Sequence, residues 1–367
     1  MHCSDHINIL VMPTDACNMH CAYCFHKAHR DGYDVMALST LKKMLDISTP
    51  FYKQINLIWH GGEPLLLGLD FYREAVELQE MSPCIIHNSI QSNLTLMTED
   101  YAIFFHDHGF KVSGSYDGVC NDALRGNSEK IMEGRQLVLN QGDGCGLIMV
   151  VSNGNIDTLI DSYLFFKKIK VNVSLNLFVN QKDCFDNVLK MDSENAITKL
   201  NALFDYWAMD VENPISISYF KHILDYITKQ KKSLCTYTSC LGRWIGVRYD
   251  GEIVPCNRYF PNEYSFGNIF DYSDIGQAFD SEGFKRLITG AIARREKCKS
   301  CRIYDFCGGG CNNNAYNENG IENNNGFTCK VLQGVYQHIE DFIRKHFEYS
   351  IDKKIYNPLL FAQLQRS

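Results

Sequence analysis

The chain has 367 residues, 45% of them hydrophobic and 22% charged, which is enough apolar material for a sizeable core and excludes a disordered or fibrous chain. Its length suggests about two domains, and a formal charge of −7 argues against nucleic acid or an anionic membrane as the main partner. No apolar run approaches the roughly 18 residues that span a bilayer and no signal-peptide pattern opens the chain, so a cytoplasmic protein without membrane association is expected.

Up to residue 213 short apolar runs alternate with amphipathic stretches. Strands are predicted at Ile7–Thr14, Gln54–Trp59, Ile85–Ser92, Lys111–Ser115, Gly146–Ser152 and Val173–Val179. Helices are predicted between and after them, at Ser39–Tyr52, Asp70–Met81, Thr98–His108, Ser128–Asn140, Ile156–Lys168 and Ser193–Met209. Ser39, Thr98 and Ser128 stand where N-caps are expected, and Gly109 is a stop signal. Such a series of strand–helix units implies parallel strands with right-handed crossovers, as a full or partial barrel or a doubly wound sheet. Either way the chemistry belongs on loops leaving the carboxyl ends of the strands.

Residues 214–234 read as a connecting segment with a helix at Ile215–Lys232. Residues 235–330 then hold eight of the chain's 16 cysteines with many Gly and Asn and little periodicity, so burial alone would hardly fold them. Metal ligation can supply on the order of 10 kcal/mol to such a region. The Asn-rich stretch Asn312–Asn325 is expected to be a solvated loop. A closing helix at Val331–His346 begins the last segment, 331–367.

In a reduced compartment, closely spaced cysteines point to metal or redox chemistry rather than to disulfides. The first strand runs directly into Cys17-Asn-Met-His-Cys21-Ala-Tyr-Cys24. Three thiols on one loop can converge on a single inorganic centre and leave one of its positions open, whereas structural zinc takes four protein ligands. The spacing alone also allows a zinc site completed by His20 or His26, or three unrelated buried cysteines. One strand later the chain reads Trp59-His60-Gly61-Gly62-Glu63-Pro64, where backbone can approach a ligand closely and Glu63 offers a carboxylate to an ammonium group.

With these two loops the sequence resembles the radical S-adenosylmethionine superfamily. The resemblance implies a partial (β/α)6 TIM-type barrel and a [4Fe–4S] cluster on Cys17, Cys21 and Cys24. The open iron would be chelated by the amino and carboxylate groups of S-adenosylmethionine, whose reductive cleavage gives a 5′-deoxyadenosyl radical. Tyr23, Gly61, Gly62 and Glu63 would contact that cofactor, and Ser115 and Arg125 would hold its ribose and carboxylate region. Phe178, or its neighbour Leu177, would flank the adenine. Gln91-Ser92-Asn93-Leu94 departs from the family's usual Thr-Asn-Gly at the end of the third strand, so no cofactor role is carried over to Ser92 or Asn93.

The second constellation is Cys298-x2-Cys301-x5-Cys307-x3-Cys311, with Cys329 downstream and Cys235, Cys240 and Cys256 upstream. Asp250-Gly251 reads as a hairpin turn returning the chain to Cys256. Eight thiols make two sets of four, and zinc is an open reading of Cys-x2-Cys pairs. Taken with the first loop, the pattern resembles the SPASM extension of radical S-adenosylmethionine enzymes, which implies two auxiliary [4Fe–4S] clusters and three in all. By that resemblance Cys235, Cys240, Cys256 and Cys311 would hold the first auxiliary cluster, and Cys298, Cys301, Cys307 and Cys329 the second. Cys3, Cys84, Cys120, Cys145 and Cys184 remain as buried free thiols.

Enzymes of this kind modify peptides or proteins, so the resemblance implies such a substrate and an external one-electron donor such as flavodoxin or ferredoxin. The layout is closest to anaerobic sulfatase-maturating enzymes, and only 16 residues precede Cys17, too few for a leader-peptide-binding domain. Those maturases carry an Asp after the Pro-Cys of the SPASM hairpin, proposed as a base, where this chain has Asn257. A neutral amide does not accept a proton near pH 7. The expectation is therefore a peptide maturase that forms a thioether or carbon–carbon crosslink or another oxidised residue, with Cys- or Ser-to-formylglycine conversion as the alternative and a non-catalytic iron–sulfur electron carrier or zinc-stabilised binding protein as the remote one.

Overall fold

The computed structural model describes residues 5–24, 34–179, 187–258, 260–324, 326–347 and 356–364. Its strands are β1 (His6–Met12), β2 (Gln54–Trp59), β3 (Ile85–Ser92), β4 (Lys111–Ser115), β5 (Gly146–Val151), β6 (Val173–Leu177), β7 (Trp244–Arg248) and β8 (Ile253–Val254). The chain divides into two compact units, one of Met1–Ser115, Arg125–Cys145 and Cys240–Thr289, the other of Tyr116–Leu124, Gly146–Ser239 and Gly290–Ser367.

In the first unit β1 to β4 pair in parallel in sequence order, from His6 opposite Gln54 to Ser92 opposite Gly114. β1 also pairs in parallel with β7, from Asn8 opposite Trp244 to Met12 opposite Arg248, and β7 turns back antiparallel onto β8. In the second unit β5 and β6 pair in parallel. Neither set closes into a barrel, in keeping with the partial barrel read from the sequence. Ile7, Ile9 and Val11 of β1 and Ile55, Leu57 and Trp59 of β2 are all fully buried. Alternate residues of a strand face opposite sides, and the intervening positions are also largely covered, as expected for parallel strands with helices over them.

Helix boundaries follow the apolar period, with observed helices at Leu38–Ser48, Leu69–Glu80, Glu99–Asp107, Ser128–Asn140, Leu159–Lys168 and Ser193–Ala208. Thr98 caps its helix by accepting from the Tyr101 N–H, as its position suggests. Ser39 and Ser128 instead fall inside their helices, behind Ala37 and Asn127. The Asp250-Gly251 turn joins β7 to β8, with Gly251 at φ +86°.

Three features depart from the reading of the sequence. Glu282–Cys298 is a 17-residue helix in the region expected to lack long elements. The Asn-rich stretch is not a solvated loop over its first half: Asn312–Asn319 is helical, with Asn312, Asn313 and Asn317 buried. Their amides find partners inside the protein, Asn317 Nδ2 donating to the Asn313 carbonyl at 2.8 Å and Asn312 accepting from Arg294, so burial does not leave them unsatisfied. The closing helix runs Phe327–Phe347, one turn longer at its start than expected, and so takes in Cys329. Among the leftover cysteines, Cys145 is buried, Cys84 and Cys120 are half-buried, and Cys3 and Cys184 lie outside the described residues.

Candidate functional site

The cysteine loop leaves the carboxyl end of β1, and the Gly-Gly-Glu loop leaves β2 beside it. Backbone bonds carry the strand pairing on into both loops: Gly62 N–H donates to Thr14 O at 2.9 Å and Glu63 N–H to Ala16 O at 2.8 Å. A Cβ on Gly62 would lie 1.9 Å from Ala16 O, and one on Gly61, at φ +109°, 2.5 Å from Thr14 O. Both glycines are thus required by the close passage of the cysteine loop, a role that the sequence did not reveal. Below, the Tyr72 and Tyr101 hydroxyls donate to the Pro64 and Leu65 carbonyls at 2.8 and 2.9 Å. These buried phenols fix the loop on the aromatic core.

Cys21 is buried, and Cys17 and Cys24 are half-buried. Burial, helped by the Glu63 carboxylate and the neighbouring Cys24 and Cys21 sulfurs, pushes the Cys17 thiol up to about 11. A thiol buried in this way ionises readily only against a cation, which is the condition for cluster ligation. His20 is exposed and His26 lies outside the described residues.

Glu63 is 1% exposed, and its carboxylate accepts from Leu65 N–H at 3.1 Å, Ser92 Oγ at 2.8 Å and Asn93 N–H at 2.7 Å. Burial nevertheless raises its pKa above the ordinary 4.5. A carboxylate accepts about four bonds, so this one retains capacity for a further donor, and a cationic donor would offset its burial. The three thiols and the Glu63 carboxylate therefore fit a cluster with S-adenosylmethionine on it.

Arg125 Nη1 donates to the Tyr23 hydroxyl at 2.5 Å, locking together two expected cofactor contacts. Ser115, at the end of β4, accepts from Gln91 Nε2 at 2.8 Å. Phe178 is buried just after β6 and belongs to the second unit.

Sequence reasoning passed over Asn93. Its Nδ2 lies 3.8 Å from Cys17 Sγ and donates to Asn18 Oδ1 at 2.9 Å, so it sits against the cysteine loop. The only signal for it was its place at a strand end. Asp15, two residues before Cys17, makes a largely buried ion pair with Arg248 of β7 at 2.6 Å, anchoring the loop from its other side.

Of the second constellation, Cys298, Cys301, Cys307 and Cys329 line one cavity of about 400 Å3 in the second unit. Burial and the neighbouring Cys329, Cys298 and Cys301 sulfurs push the Cys307 thiol up to about 12. Cys298 ends the long helix Glu282–Cys298, the Cys301 N–H donates back to its carbonyl at 2.9 Å, and Cys329 sits in the first turn of the closing helix. Gly308, Gly309 and Gly310 run at φ +61°, +87° and +75° between Cys307 and Cys311, a left-handed path that glycine takes without strain. Arg294, fully buried, donates from Nε to Gly309 O at 2.8 Å and holds this path in place. Cys235 and Cys311 also belong to the second unit, Cys240 and Cys256 to the first. The Cys256 Sγ lies 3.1 Å from Asn257 Oδ1, so the side chain of Asn257 is turned to the Cys256 sulfur.

A cysteine loop on the first strand of an open parallel sheet, braced by Gly-Gly-Glu, defines a radical S-adenosylmethionine enzyme. Residues 11–166 match the radical SAM superfamily, and residues 235–302 match the SPASM iron–sulfur cluster-binding domain. The chain carries both domains and is a radical SAM/SPASM enzyme closely related to the anaerobic sulfatase maturases; its cofactors are S-adenosylmethionine and [4Fe–4S] clusters. It is 29% identical to a cysteine-type anaerobic sulfatase-maturating enzyme of Clostridium novyi, covering 84% of this chain and 88% of that one. A serine-type counterpart from Bacteroides thetaiotaomicron is 26% identical over 92% and 91% of the two chains. The fold is that of anSMEcpe, solved with bound AdoMet, at a TM-score of 0.81, 23% identity and 98% coverage of both chains. Streptococcus suis SuiB shares the fold more distantly, at a TM-score of 0.65 and 16% identity over 88% of this chain and 77% of that one. These comparisons support the sulfatase-maturase alternative at least as well as the crosslinking reading first drawn from the sequence. Among the described residues no helix is long and apolar enough to cross a membrane.

Proposed function

We propose that this enzyme oxidises a Cys or Ser side chain of a peptide or protein substrate, in the manner of the sulfatase maturases. The observation that carries this reading is correspondence with cysteine-type and serine-type maturases along nearly the whole of both chains. The solved relative that binds AdoMet together with a Cys-containing peptide supports a peptide substrate. When bound on Cys17, Cys21 and Cys24, the cofactors supply a 5′-deoxyadenosyl radical that takes a substrate hydrogen. Tyr23, Gly61, Gly62, Glu63, Ser115, Arg125 and Phe178 position S-adenosylmethionine. Cys235, Cys240, Cys256 and Cys311 hold the first auxiliary cluster, and Cys298, Cys301, Cys307 and Cys329 the second. A flavodoxin or ferredoxin in the cytoplasm delivers electrons.

Asn257 favours a second reading. An amide facing Cys256 supplies no base at the position where the maturases carry Asp; the substrate radical would instead bond to a sulfur or carbon of a second residue, whose hydrogen leaves as a proton while one electron passes to an auxiliary cluster, giving a thioether or carbon–carbon crosslink. Incubating reconstituted, reduced enzyme with S-adenosylmethionine and sulfatase-derived Cys and Ser peptides separates the two. The proposal requires 5′-deoxyadenosine together with a hydrazine-reactive aldehyde on the peptide. A peptide that merely becomes lighter by a hydrogen pair would replace it with the crosslinking reading.

A further inference from the structure

Two side-chain amides lie against sulfurs of the second auxiliary site. Gln333 Nε2 is 3.1 Å from Cys329 Sγ, one helical turn along the closing helix, and Asn324 Nδ2 is 3.6 Å from Cys298 Sγ. Both residues line the same cavity as the four cysteines. The orientation of Asn324 is fixed independently, because the same nitrogen also donates to Gly309 O at 3.3 Å and a carbonyl only accepts. A cluster-bound sulfur is a thiolate and likewise only accepts, so it too takes the NH2 end of each amide.

A cluster gains a negative charge on reduction, and donors to its sulfurs stabilise that form, so such bonds raise the reduction potential. From this geometry we propose that Asn324 and Gln333 are tuning residues of the second auxiliary cluster, donating N–H···S bonds that raise its potential and suit it to accept an electron. The inference rests on the ligand set proposed above. Fully buried Arg294, bonded to the cysteine-bearing glycine path, adds a cation of the same sign of effect.

The test is a potentiometric titration, followed by electron paramagnetic resonance, of the full reconstituted chain with iron counted in parallel. Gln333→Met and Asn324→Leu should each shift the one-electron reduction equilibrium of one cluster roughly tenfold toward the oxidised form, about 59 mV, with a larger shift in the double variant. Gln333→Glu should shift it at least as far, since a carboxylate opposes the added electron. The other clusters should not move, which a purely structural role would not ensure. If Asn324→Leu sheds iron, the two Gln333 variants decide the matter. An unchanged potential at full iron content, or an equal shift in every cluster, overturns the proposal. Cys329→Ala tests the underlying ligand set separately: loss of one cluster's iron upholds it, and full retention removes both the ligand set and the tuning built on it.

Discussion

The loop after β1 and the cysteine set from Cys298 to Cys329 present the same donor atom in opposite surroundings. The first offers three thiols, with the Glu63 carboxylate near enough to disfavour the Cys17 thiolate and one distant amide, Asn93, at 3.8 Å. The second offers four thiols, two closer side-chain amides and a buried guanidinium on the adjoining glycine path. A site short of one ligand and flanked by negative charge suits a strongly reducing cluster with an open iron. A fully ligated, donor-rich site suits an electron acceptor. On the proposed ligand sets, ligand count and surroundings together, rather than cysteine spacing alone, would separate the two roles.

The strongest way to break this contrast is to remove the three-thiol site. A Cys17/Cys21/Cys24→Ala variant should lose all 5′-deoxyadenosine formation and about four of some twelve irons, by iron analysis and product chromatography. Loss of all the iron would mean that the sites are not independent. Gly62→Ala comes next, because its Cβ would meet Ala16 O and push the cysteine loop away. Cofactor cleavage should fall roughly a hundredfold, the usual cost of a displacement of about 1 Å, with the auxiliary iron retained. Arg248→Met leaves the Asp15 carboxylate buried opposite an apolar chain, and should cost about 3–5 kcal/mol in denaturant unfolding of the reconstituted protein. The mildest change sharpens the question of reaction. Asn257→Asp restores a carboxylate beside Cys256 and should raise aldehyde formation on a Cys peptide at least roughly tenfold if a missing base limits it.

Much of this architecture was legible in the sequence. β2, β3 and β4 fall on their expected residues because short apolar runs bounded by turn signals carry strand information locally. The cysteines proposed as ligands stand out because closely clustered thiols in a long chain have few other uses. The parallel pairing of β7 with β1 was not legible, since nothing local in Trp244–Arg248 identifies a partner over 230 residues away in sequence. Nor were the uses of polar side chains. Asn312 and Asn317 read as solvated until Arg294 and a helical turn supply their bonds, and Asn93, Asn324 and Gln333 acquire meaning only when folding brings a sulfur within reach. Glycine likewise suggested ligand approach at Gly61 and Gly62, whereas the close neighbour is the protein's own backbone.

The contrast between a three-thiol and a four-thiol site is tested most directly by electron paramagnetic resonance of the reduced, fully reconstituted enzyme before and after S-adenosylmethionine is added. One cluster signal should change as the cofactor coordinates its open iron, the others should stay as they were, and the changing signal should be missing from the Cys17/Cys21/Cys24→Ala variant. A spectrum that does not respond to S-adenosylmethionine, or a response that survives in that variant, would contradict the account.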